Sequence, residues 1–65
     1  MLYIECSDRF NKYEFIKMIN NLGHYAKPMS NGFIFDDELL NMPFYEMPHW
    51  LYMNRKWLKN HSSKW

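Results

Sequence analysis

Cys6, His24, His49 and His61 are the side chains of this chain that could serve as nucleophile, base or soft metal ligand, and their spacing suits none of these roles. A reactive cysteine needs an electropositive, partly open setting that holds it as thiolate. Cys6 instead closes the alternating run Leu2-Tyr3-Ile4-Glu5-Cys6 on the side of Leu2 and Ile4, where an inert buried thiol is expected. Structural zinc takes close pairs such as Cys-x2-Cys or His-x3-His, and neither occurs. His24 follows Gly23 as a polar residue at a predicted helix end, and His49 is a surface residue in the first turn of another helix. Asp36, Asp37 and Glu38 place three carboxylates in a row, but adjacent side chains seldom converge on one cation. Acidity at a helix start accounts for them more simply. The two glycines are each required by a turn or a cap, so no phosphate-cradling loop can be built. The sequence therefore predicts no catalytic residue, no metal site and no cofactor, and a chain that is not an enzyme.

What remains is chemistry of contact. Three Trp, five Tyr, five Phe and six Met exceed what the core of a 65-residue chain needs, and the run from Pro43 to Met53 holds much of the surplus. Charge is segregated as well. Residues 36–48 carry Asp36, Asp37, Glu38 and Glu46 without a Lys or Arg, whereas residues 49–65 carry Arg55, Lys56, Lys59 and Lys64 without an acid. Exposed aromatic and Met side chains beside a few cations have the composition of protein-interface hot spots. The expected contact residues are Phe44, Tyr45, Tyr52, Arg55, Lys56, Trp57 and Lys59, with a protein as partner. The alternative is a nucleic-acid-binding module in which the same cations meet phosphates and Trp57 or Trp65 stacks on a base. Four cations and a net charge of +1 are few for that role. Surplus apolar surface also leads us to expect either a homodimer or a monomer that aggregates at high concentration without its partner, the dimer being slightly favoured.

Positioning these residues falls to a short series of elements. The alternation of residues 2–6 predicts a strand. Asn11 and Glu14 form a capping-box-like pair, flanked by Phe10 and Phe15 at the positions of a hydrophobic staple, so a helix is predicted from Lys12; Ser7 or Asp8 would cap a longer version. Phe15, Met18, Ile19 and Leu22 give it one apolar stripe, and Gly23 ends it. Tyr25–Met29 and Phe33–Asp36 flank Ser30-Asn31-Gly32, a hairpin signal resting on the tolerance of Asn and Gly for positive φ. Pro28 puts its strand at a sheet edge. One helical turn over Leu39–Met42 is stopped by Pro43, and a bend leads to Pro48 at the first position of a last helix reaching about residue 60. Its expected stripe is Trp50, Met53 and Trp57, widened by Leu51 and Leu58, with Trp50 in the core and Trp57 free for contact. Residues 61–65 lack periodicity and read as a frayed tail.

The predicted order β-α-β-β-α is α+β, with a two- or three-stranded antiparallel sheet and two helices in one domain over residues 1–65. A chain this short buries only about 60% of its unfolded surface and cannot support two cores. With a single cysteine no internal disulfide can help, so packed aromatics must hold the fold. Met1–Glu5 have neither the basic nor the apolar region of an export signal, and no long apolar run follows, so no membrane association and a cytoplasmic location are expected. Phe, Tyr, Met, Ile, Asn and Lys supply 33 residues, and Gly, Ala, Arg and Pro only 8. That bias belongs to an AT-rich genome and suggests a phage-encoded modulator or inhibitor of a host protein.

Overall fold

The computed structural model describes residues 1–7 and 10–65. In chain order the elements are β1 (Leu2–Glu5), α1 (Lys12–Asn21), β2 (Ala26–Met29), β3 (Gly32–Phe35), α2 (Glu38–Asn41), a 3-10 turn (Phe44–Glu46), α3 (His49–His61) and β4 (Ser62–Lys64). The class is α+β, as the sequence predicts, but the sheet has four strands. Its order is β2-β3-β1-β4, with every neighbouring pair antiparallel. Since β1 and β2 both oppose β3, they run parallel to each other with β3 inserted between them, the split βαβ arrangement. No described helix is long and apolar enough to cross a membrane.

Local chemistry accounts for α1 at both ends. The Asn11 side chain accepts a hydrogen bond from the Glu14 amide at 3.2 Å, and the Phe10 and Phe15 rings meet at 5.6 Å to complete the staple. Asp8, the alternative cap, lies outside the described residues. At the other end Gly23 adopts φ +86°, its N–H donates to the Asn20 carbonyl at 2.9 Å, and the His24 N–H donates to Ile19 at 3.3 Å. These are the two bonds of a Schellman motif, which only a residue tolerant of the left-handed region can form cheaply. The buried face is Phe15, Ile16 and Ile19, so Ile16 takes the place expected for Met18, which is half-buried.

The hairpin forms where Asn31-Gly32 predicts it, but not for the reason first given. No described non-glycine residue, nor Gly32, has positive φ. Gly32 instead begins β3 directly against β1, where its missing side chain leaves room for the Ile4 carbonyl. Beyond the paired residues, the Cys6 N–H donates to Asn31 at 3.1 Å. Cys6 itself is half-buried against the core rather than fully enclosed. Pro28 does sit on an edge strand, β2, where a missing N–H costs no ladder bond.

All three helices pack on one face of the sheet. Ile4, Ala26, Phe33 and Phe35 from the strands meet Phe15, Ile16, Ile19, Leu39, Leu51 and Leu58 in one cluster. Phe33 stands at its centre, with Phe10 and Phe15 rings 6.4 and 5.8 Å away and Phe35 at 5.9 Å. The end of the chain departs from expectation. Residues predicted to fray form β4, paired with β1 in the register Leu2↔Lys64, Tyr3↔Ser63, Ile4↔Ser62. The Trp65 N–H donates to the Met1 carbonyl at 3.2 Å and its ring stacks on Tyr3 at 5.3 Å. The open hydrogen-bonding edge of β1 supplies the drive for this pairing.

Candidate functional site

The last helix presents the predicted contact residues, so the way it is rotated decides which of them are available. Pro48 is its N-cap rather than its first helical residue, and its carbonyl accepts from the Leu51 and Tyr52 amides at 3.1 Å each. Leu51 and Leu58, two turns apart, are fully buried. At about 100° per residue, Trp50 and Trp57 lie to one side of this leucine ridge, while Tyr52, Arg55, Lys56 and Lys59 lie to the other at i, i+3, i+4 and i+7. Met53, expected in the buried stripe, is 65% exposed.

The rotation gives Trp57 a packing role that the sequence did not assign to it. Its ring packs 5.4 Å from Phe10 and is half-buried against the core, as Trp50 is, edge-on to Phe15 at 5.2 Å. The His61 ring lies 5.7 Å from Trp57, and His61 Nδ1 donates to the Trp57 carbonyl at 3.0 Å. Trp57→Ala is therefore expected to cost the fold about 2 kcal/mol, roughly half the penalty of a fully buried tryptophan. A thermal melt read by circular dichroism checks this, and an unchanged melt would return Trp57 to the surface.

The cationic side is built differently. Arg55, Lys56 and Lys59, with Asn60 of the same helix and Leu40 of α2, line a groove of about 360 Å³. A second depression of about 250 Å³ is shared by Tyr52, Met53, Arg55 and Lys56. The Arg55 guanidinium lies over the Tyr52 ring at 4.8 Å from its centroid, a cation–π contact that orders both side chains. The acidic segment does not neutralise this surface. Asp37 pairs with the Met1 amine at 2.9 Å, and Asp36 lies 3.4 Å from His24 Nδ1 while its other oxygen accepts from the Glu38 amide at 3.1 Å. Among the described residues these are the ion pairs, so no described carboxylate reaches Arg55, Lys56 or Lys59.

Phe44 and Tyr45, in the 3-10 turn after Pro43, are 68% and 76% exposed and pack on each other at 5.8 Å, with their ring planes 81° apart. Of the seven predicted contact residues, Tyr52, Arg55, Lys56 and Lys59 thus share one stripe, Phe44 and Tyr45 form a separate exposed pair, and Trp57 lies half-buried on the other side of the leucine ridge. Leu40, Asn60 and Met53 were absent from the sequence-based set. The proximity of Met53 and Asn60 to the stripe can be read from helical spacing, whereas that of Leu40 cannot. Comparison with protein-family models, with characterised proteins and with solved structures finds no match to this chain.

Proposed function

We propose that this chain is a binding module rather than an enzyme, and that it holds an acidic segment of another protein on the outer face of α3. The observation that carries this reading is the stripe Tyr52, Arg55, Lys56 and Lys59, whose cations have no carboxylate partner among the described residues, running beside exposed Met53 and the apolar floor of Leu40. Unpaired cations supply attraction and orientation, and the aromatic, Met and Leu surfaces supply the desolvated contact that gives most of the affinity. Phe44 and Tyr45 extend the accessible apolar surface elsewhere on the chain. Modulation or inhibition of a host protein would follow from covering part of its surface. Nucleic acid is the second reading, favoured by the same unpaired cations. It is weakened by the packing of Trp57 against Phe10, which leaves that ring half-buried and less accessible to a base than the exposed Trp65.

The test uses a labelled peptide rich in Asp and Glu with one leucine, titrated with the full chain, and an unlabelled mixed-sequence DNA as competitor. Binding of the peptide is expected, weakened about tenfold or more by Lys56→Glu or by Arg55→Ala with the dichroism spectrum unchanged. Displacement by DNA, with affinity falling steeply as salt is raised, would transfer the site to nucleic acid. Equal binding by wild type and both variants would remove α3 from the interaction.

A further inference from the structure

With the helices packed on one side, the other face of the sheet has no covering element among the described residues. A one-sided antiparallel sheet ordinarily turns polar residues outward. Here the pairing register places Tyr25, Asp36, Met1 and Trp65 in one outward row, with the Asp36 carboxylate held by His24 and the Glu38 amide, and Lys27, Ile34, Tyr3 and Ser63 in the next. Met29 and Glu5 flank Gly32 in the third. Trp65 is 61% and Tyr25 54% exposed, and the Tyr3–Trp65 stack confirms that Trp65 lies over this face. Large apolar side chains thus come from or flank all four strands, and the charged side chains on this face, Lys27 against Glu5 and Asp36, offer no excess of positive charge to a phosphate backbone.

We propose that this face is a self-association surface, on which a second copy of the chain packs sheet to sheet about a two-fold axis running along the middle of the sheet between β3 and β1. That axis exchanges β2 with β4 and β3 with β1. It sets Tyr25 of each copy opposite Trp65 of the other, Asp36 opposite Met1, and Ile34, only 7% exposed within its own chain, opposite Tyr3, so the apolar contact across the roughly 10 Å between packed sheets is made chiefly by Tyr25, Trp65 and Tyr3. Glu5 falls over the other copy's Gly32, where no side chain stands, diagonally adjacent to its Lys27. Both side chains are long enough to meet there, giving two symmetry-related ion pairs. Four strands at about 4.8 Å and five residues at about 3.4 Å give a footprint on the order of 300 Å² per copy, below the standard interface size. The dimer is accordingly dissociable, forming at high micromolar concentration.

Sedimentation equilibrium of the full chain from about 10 µM to about 2 mM tests this without involving the α3 stripe. The weight-average mass is expected to rise toward twice that of the monomer. Trp65→Ala and Tyr25→Ala, both at exposed positions, should each raise the dissociation constant about tenfold. Lys27→Glu should also weaken the dimer, and adding Glu5→Lys to it should restore association, a rescue that mere loss of folding could not produce. A chain that stays monomeric at the highest concentration overturns the proposal. So does a dimer indifferent to Trp65, Tyr25 and Lys27 but lost in Met53→Asp, which would place the contact on α3.

Discussion

Replacing Gly32 by alanine is expected to remove a large part of the stability of the fold. A Cβ at this position falls on the Ile4 carbonyl oxygen and lies 2.9 Å from its carbon and 3.0 Å from the Glu5 Cα. All three atoms are backbone of the neighbouring strand, so no rotamer change relieves the clash and β1 must move away from β3. That movement breaks the pairs Ile4↔Phe33 and Glu5↔Gly32 at the centre of the sheet and disturbs the Cys6–Asn31 bond. We expect a cost of about 3 kcal/mol or more. At about 0.05–0.15 kcal/mol per residue, the whole stability of a domain this size is only about 3–10 kcal/mol. Gly23→Ala is the control. There φ is +86° but nothing lies within 4 Å of the added carbon, so only the left-handed backbone penalty of about 1–2 kcal/mol applies. Urea unfolding of both variants separates the two causes. Equal costs would mean that β1 and β3 are spaced more widely than described.

Leu51→Ala is expected to destabilise the fold by about 3–4 kcal/mol, because the side chain is wholly buried and its removal leaves a cavity against the sheet. Met53→Ala, two residues on and 65% exposed, should change stability by less than about 0.5 kcal/mol. The pair measures the rotation of α3 directly, since a helix turned to bury Trp50, Met53 and Trp57 would reverse the order. Chemical denaturation midpoints decide between the two rotations. The same measurement bears on function, because the leucine ridge is what directs Tyr52, Arg55, Lys56 and Lys59 outward.

The features that could be read along the chain are those whose physics is local. Asn11 and Glu14, Phe10 and Phe15, and Gly23 are neighbours within one helix and its ends, and each behaves as its spacing predicts. The cationic stripe of α3 is legible for the same reason, since i, i+3, i+4, i+7 is a property of the helix alone. Spacing could not choose between two apolar stripes on α3, Leu51 with Leu58 or Trp50 with Trp57, both recurring every seven residues. The choice was made by the space above β1 and β3, filled by Ile4, Phe33 and Phe35, which accepts two leucines and leaves the tryptophans at the margin against Phe10 and Phe15. Ser62-Ser63-Lys64 carries no strand pattern, because nothing in those residues asks for a strand. The unpaired edge of β1, some sixty residues earlier in the chain, supplies the hydrogen-bonding partners instead. Leu40 joins the basic groove in a similar way, through packing of α2 on α3 across the intervening turn. Contacts between residues distant along the chain depend on where the whole backbone goes, and that is fixed only when the sheet and the core close together.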